Sequence, residues 1–165
     1  MKKLASVALL LLWLCGCAKG KTADVTKEMR ESGGFSAYAI VHYLGKEYGF
    51  TVEKDPESIR VVLDNPQALS GFTVTLTESD YTVGYHDVSF STKQLPDTME
   101  RVIGPVFSLC DAIAKQQGEH LPDGTFTYQS GDLSATCRFD PKEGVPLQIS
   151  VGDDFLLEFS NFKYT

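Results

Sequence analysis

Groups that do chemistry are scarce in this sequence. Histidine occurs three times, as His42, His86 and His120, and no two stand at a metal-ligand spacing from each other, from cysteine or from a carboxylate. Each is expected to be a solvated surface residue. The glycines fall at turns, so no loop cradles a phosphate, and Ser70-Gly71 is a loop end rather than part of a Gly-x-Ser-x-Gly elbow. The acidic pairs Asp153-Asp154 and Asp55-x-Glu57 lack the ligand count of a calcium loop and read as hairpin solvation. These absences predict no catalytic residues, no metal and no cofactor: the chain is not expected to be an enzyme. Basic charge is also short, with 15 Lys and Arg against 22 Asp and Glu, a net −7. That balance argues against a nucleic-acid partner and against electrostatic attraction to anionic lipid headgroups. Repeats and low-complexity segments are absent. No apolar run reaches the roughly 20 residues that span a bilayer.

What the chain does have stands at its start. Lys2 and Lys3 precede an apolar run over residues 4–14, followed by Leu14-Cys15-Gly16-Cys17 and the polar Lys19-Gly20-Lys21. Two lysines, a short apolar run and a small residue before a cleavable position make a secretory signal peptide. The sequence Leu-x-Gly-Cys resembles the lipobox of bacterial lipoproteins, whose cysteine receives a diacylglyceryl group and becomes the mature N-terminus. Cys17 fits this pattern because Gly16 precedes it. Cys15 does not, because bulky Leu14 stands where the processing peptidase needs a small side chain. Removal of residues 1–16 takes Lys2 and Lys3 and moves the net charge from −7 to −9. The membrane contact is then expected to come from acyl chains on Cys17, two of which suffice for stable anchoring. The expected address is the extracytoplasmic face of the cell membrane. Ala18 after the cysteine, rather than Asp, permits export to an outer membrane where the cell has one.

Residues 17–34 are polar and end in Ser32-Gly33-Gly34, which reads as a tether with a short helix capped near Asp24. Residues 35–165 are the size of one domain. Two cysteines lie within it, Cys110 and Cys137. In an oxidising compartment they could form a disulfide; as free thiols they would act as small buried hydrophobes. Both readings stand at this point.

The body of the chain alternates. Ile59, Val61 and Leu63, then Phe72, Val74 and Leu76, then Tyr81, Val83 and Tyr85 each share one face with polar residues between them. Leu133, Ala135, Cys137 and Phe139 repeat the pattern, followed by Leu147, Ile149 and Val151 and by Phe155, Leu157 and Phe159. A period of two with turn signals between runs predicts an antiparallel sheet with one wet and one buried face. Between residues 97 and 117 the period becomes helical: Met99, Val102, Ile103, Val106, Phe107, Cys110, Ile113 and Ala114 form one stripe. Proline is tolerated in a helix's first turn but not in its interior. Gly104-Pro105 therefore predicts a break, with a second helix over 105–117.

Size then constrains shape. About ten strands at about 4.8 Å spacing make a flat sheet roughly 50 Å wide, while a helix is about 10–12 Å across. One broken helix cannot cover such a face unless the sheet curls. The expected class is mainly β (α+β): a strongly curled antiparallel sheet or incomplete β-barrel of about ten strands, with the broken helix on its concave face. Where the helix does not fill the concavity, an apolar pocket remains, with Phe72, Val74, Phe107, Phe126, Phe139, Phe155 and Phe159 as candidate lining.

A lipobox, a polar lead-in, about six meandering strands, a helical insertion and about four more strands resemble the lipoprotein-carrier superfamily, which includes LolA and the mycobacterial lipid-binding lipoproteins of the LppX kind. The loop Asn65-Pro66-Gln67-Ala68-Leu69-Ser70-Gly71-Phe72 also resembles small lipoproteins of Gram-positive anaerobes. The first resemblance implies an incomplete barrel whose helices line or lid a cavity for acyl chains, and it brings no catalytic residues. The expected function is a membrane-anchored extracytoplasmic lipoprotein that binds a lipid or another apolar ligand. The alternative is a non-enzymatic accessory lipoprotein that holds a protein partner in the cell envelope.

Overall fold

The computed structural model describes residues 26–78, 80–130 and 133–165. The expected signal peptide, Cys17, Asp24 and the first part of the expected tether lie outside the described residues. A short helix, α1 (Lys27–Glu31), opens the described chain and buries Met29. Six strands follow: β1 (Phe35–Tyr43), β2 (Lys46–Lys54), β3 (Ser58–Asn65), β4 (Phe72–Thr77), β5 (Asp80–Tyr85) and β6 (Val88–Thr92). Then comes the long helix α2 (Asp97–Ala114), and after it β7 (Glu119–His120), β8 (Thr125–Ser130), β9 (Leu133–Phe139), β10 (Pro146–Val151) and β11 (Phe155–Tyr164).

All eleven strands belong to one open sheet in the order β6-β5-β4-β3-β2-β1-β11-β10-β9-β8-β7. Each neighbour is antiparallel. The chain starts mid-sheet, meanders to one edge at β6, resumes at the opposite edge with β7, and returns until β11 closes against β1. This path explains the helix. The connection from β6 to β7 must travel from one edge of the sheet to the other, and an amphipathic helix does so while covering the apolar face.

The alternation in the sequence maps onto that face. Val61, Val74 and Val83 are buried and lie opposite one another across β3, β4 and β5. Ala135, Cys137 and Phe139 are buried on β9, while Ser134 and Arg138 are exposed. The strand count differs from the sequence expectation by one. The addition is β7, whose two residues are too few to display a period.

The helix departs from expectation more clearly. It is continuous through Gly104-Pro105 and ends at Ala114 rather than at 117. A proline inside a helix costs about 3 kcal/mol. Ten of the 18 residues of α2 are buried, Val102, Ile103, Val106, Phe107, Leu109 and Ile113 among them. Each large apolar side chain so buried contributes about 1.5–3 kcal/mol, so packing outweighs the local penalty. The Pro105 carbonyl also accepts a hydrogen bond from the Tyr128 hydroxyl at 3.0 Å. The helix stops because Gln116 adopts a left-handed conformation, φ 55°, which turns the chain toward β7.

Candidate functional site

The first two turns of α2 do not seal against the sheet. Between them and strands β2 to β4 lies a cavity of about 270 Å³. Its floor is built from alternate residues that strand geometry places on one face: Val61 and Leu63 from β3, and Phe72 and Val74 from β4, with Tyr48 from β2. Its roof is the helix stripe Met99, Val102 and Ile103, at the spacing of three and four that puts side chains on one side. Pro96 and Thr98 stand at the start of the helix, and Leu69 forms part of the mouth.

The cavity follows from side-chain size. Under the middle of α2 the sheet supplies large rings: Phe126 stacks on Tyr128 with centroids 5.8 Å apart and meets Phe139 edge-on at 6.5 Å. Under the first turns the fully buried floor residues are Val61 and Val74, which are shorter, and Tyr48, Leu63 and Phe72 around them are only partly buried. The mouth is held by the loop after β3. Gly71 N–H donates to the Leu63 carbonyl at 2.9 Å, and the Tyr85 hydroxyl donates to the Ala68 carbonyl at 3.2 Å. Leu69 on that loop is 44% exposed.

Tyr48 and Thr98 are the only lining residues with polar side-chain atoms. The space therefore suits an apolar occupant. A larger groove of about 680 Å³ runs past the other half of the helix, but Lys54, Glu57, Glu78, Asp80 and Asp111 line it. Exposed charges of both signs make that groove a solvated surface.

Ionisable groups add no reactive centre to the cavity. Burial pushes the Cys110 thiol up to about 12, and burial raises Cys137 well above the ordinary thiol range, reinforced by Cys110 nearby. Both are buried free thiols in this structure, and both stay protonated at neutral pH. Burial also raises the Glu100 carboxyl, which lies by Tyr81 rather than in the cavity wall. Among the described residues, no group of His, Cys, Asp and Glu is placed to hold a metal ion.

His42 lies 3.5 Å from Glu158 and 4.0 Å from Glu47 on the solvent face. His86 occupies the β5–β6 turn with its ring 4.2 Å from that of Tyr85. His120 meets the Thr26 hydroxyl at 3.2 Å.

Of the seven candidate lining residues, the structure brings Phe72 and Val74 together in the cavity. Phe107 lines the charged groove, with its ring 5.9 Å from that of Tyr81. Phe126, Phe139 and Phe155 fill the core, and Phe159 packs half-buried against Phe162 at 6.0 Å. The other cavity residues come from the beginning of the helix stripe and from Tyr48, Leu63 and Leu69. The stripe was visible in the sequence; which end of it would lack a partner ring was not.

No family model matches the sequence, and no curated protein matches it. Solved structures do match in shape. A LolA superfamily protein from Nitrosomonas europaea shares 12% identity at a TM-score of 0.50, over 87% of this chain and 93% of that one. The fold is LolA-like. An uncharacterised conserved protein from Thermus thermophilus aligns at a TM-score of 0.55 with 16% identity, covering 88% and 86% of the two chains. A DUF1329 family protein from Desulfovibrio piger aligns at 0.50 with 10% identity, covering 85% and 90%. At these identities the likeness concerns fold alone. Among the described residues, no helix is long and apolar enough to cross a membrane.

Proposed function

We propose that this protein is an extracytoplasmic lipoprotein, anchored by acyl chains on Cys17, whose sheet curls around α2 and holds a lipid chain or similar apolar ligand under the start of that helix. The observation that carries the reading is the 270 Å³ cavity with its apolar lining.

Two contacts support the strong curl. Phe107 meets Tyr81 of β5, while Pro105, two residues earlier in α2, is bonded to Tyr128 of β8. Those strands are eight positions apart in the sheet order, which in a flat sheet is about 38 Å. One helical turn reaches both only if the sheet wraps around it. The LolA-like fold supports a carrier or binding role, and the lack of any reactive constellation in the cavity favours binding over catalysis.

The cavity sets the size of ligand. At about 30 Å³ of liquid per water, it has room for a single chain or small ring rather than several chains. Each methylene of such a chain buried there contributes about 0.8 kcal/mol, against the cost of immobilising the chain. Residues 17–34 are the proposed lead from membrane to domain, and their last part is docked on the domain through α1 and the buried Met29. A carrier fixed in this way receives or holds its ligand at the membrane instead of ferrying it.

Solvent extraction tests the reading. Protein purified from its own host should release one apolar ligand in near-stoichiometric amount on extraction and mass spectrometry. Met99→Trp, which fills the mouth from a half-buried position, should retain less than about a tenth of it, with the fold intact by circular dichroism. Equal ligand in both proteins, or none in either, would contradict the proposal.

A further inference from the structure

One file of side chains crosses the core face of the sheet. Ala37, Val52, Val61, Val74 and Val83 lie directly opposite one another on β1 to β5, none more than 3% exposed. Phe90 continues the file on β6 and is 58% exposed; Val88, on the same face, is 71% exposed. The apolar face thus runs off the edge of the sheet uncovered. Among the described residues β6 is the last strand of the sheet, and no other strand pairs with its outer amide and carbonyl groups. Edges are usually blunted by proline, bulges or charges within the strand, and Val88-Ser89-Phe90-Ser91-Thr92 carries none of these. Charge appears only at the flanks, as Asp87 and Lys93, both exposed. Neither forms an ion pair among the described residues.

We infer that β6 pairs antiparallel with β6 of a second copy of this chain, about a twofold axis at Phe90. The charge pattern selects this occupant and this register. With Phe90 opposite its own copy, Ser89 faces Ser91, Val88 faces Thr92 and Asp87 faces Lys93. The charge contact occurs twice because the arrangement is symmetric. A parallel pairing in register would set Asp87 against Asp87, and an antiparallel slip of two residues would leave every charge unmatched.

Hydrogen-bond parity agrees. The two-residue turn His86-Asp87 makes Tyr85 and Val88 the pair that exchanges both bonds. Val88, Phe90 and Thr92 therefore direct their amides to β5, while Ser89 and Ser91 direct theirs outward, where Ser91 and Ser89 of the copy meet them. Phe90 then faces its copy at the close, non-hydrogen-bonded spacing of about 4.5 Å between Cα atoms. The net −7 of the whole chain opposes unspecific association. Beyond about 8 Å that repulsion is screened at physiological salt, which leaves the matched pairs at the seam to decide the register.

Cysteine cross-linking in membranes carrying the full chain tests the inference. The expected Cα spacing at position 90 lies within disulfide range. Phe90→Cys should give at least about five-fold more covalent dimer than Leu44→Cys, a comparably exposed control at the β1–β2 turn. Val88→Cys alone should stay at the control level, and Val88→Cys mixed with Thr92→Cys should cross-link. Within the Phe90→Cys background, Asp87→Lys or Lys93→Asp alone should cut the dimer roughly five-fold, since two contacts turn repulsive. The two changes in one chain should restore it. Equal yield at positions 90 and 44, cross-linking of position 90 to a different protein, or failure of the double reversal to restore the dimer overturns the inference.

Discussion

Tyr128 shows how a single side chain ties helix to sheet. Its hydroxyl is buried and donates to the Pro105 carbonyl, while its ring stacks on Phe126. Burial holds the phenol above its ordinary range, with Cys137 and Cys110 adding to the shift, so it remains a donor at every physiological pH. Tyr128→Phe keeps the ring and removes only the donor. The expected cost is about 0.5–1.5 kcal/mol in urea denaturation, with no change in the slope of the transition. A loss above about 3 kcal/mol would mean that the bond anchors α2 more strongly than one hydrogen bond can. The residue scale was also the least legible in the sequence. Tyr128 falls on a strand whose alternation is ordinary, and nothing local marks its partner 23 residues away.

At the scale of elements, the strands were readable and the helix only half so. Alternation placed Ile59, Val61, Val74, Val83 and Ile149 on the buried face, where the structure has them, because a one-residue slip would expose the whole set. The break expected at Gly104-Pro105 does not occur, since burial of Val102, Val106 and Leu109 on the same helix exceeds the proline penalty. Local rules could not weigh a contact surface not yet assembled.

Turns are elements too, and three are braced by aspartates. Bonds from the backbone N–H of Glu143 and then Lys142 hold the Asp140 carboxyl below the usual carboxylate range. Asp55 is lowered chiefly by the Glu57 N–H and then by Ser58, and Asp123 by Thr125. A carboxyl whose folded pKa is depressed stabilises the fold above its unfolded value of about 3.9, and that contribution is lost as pH falls through the folded value. Asp140→Ala should therefore lower the melting temperature at pH 7 and flatten its decline between about pH 4 and pH 2. Melting curves that fall in parallel for variant and parent would contradict the role given to this turn.

For the whole molecule, topology makes the site. A meander that leaves the sheet at β6 and re-enters at β7 forces one connection across the apolar face, and a helix of 18 residues is what crosses. The sequence carried enough to foresee too wide a sheet for one helix, because strand number and spacing are countable. It did not say where the shortfall would lie. That depended on Val61 and Val74 standing under the first turns of α2 while Phe126, Tyr128 and Phe139 cluster elsewhere on the sheet, a pairing of distant residues that no local pattern states. Five of the seven candidate lining residues lie outside the cavity: Phe126, Phe139 and Phe155 fill the core, and Phe107 and Phe159 pack against Tyr81 and Phe162.

The most direct measurement of the central claim is photolabelling in the membrane. The full chain, purified from membranes of its own host and reconstituted in vesicles containing a fatty acid with a diazirine in its chain, is irradiated, digested and mapped by mass spectrometry. Labels concentrated on segments 61–74 and 96–103, and lost in Met99→Trp, are the expected result. Labels distributed over the exposed surface, or unchanged in that variant, would contradict an apolar ligand held under the start of α2.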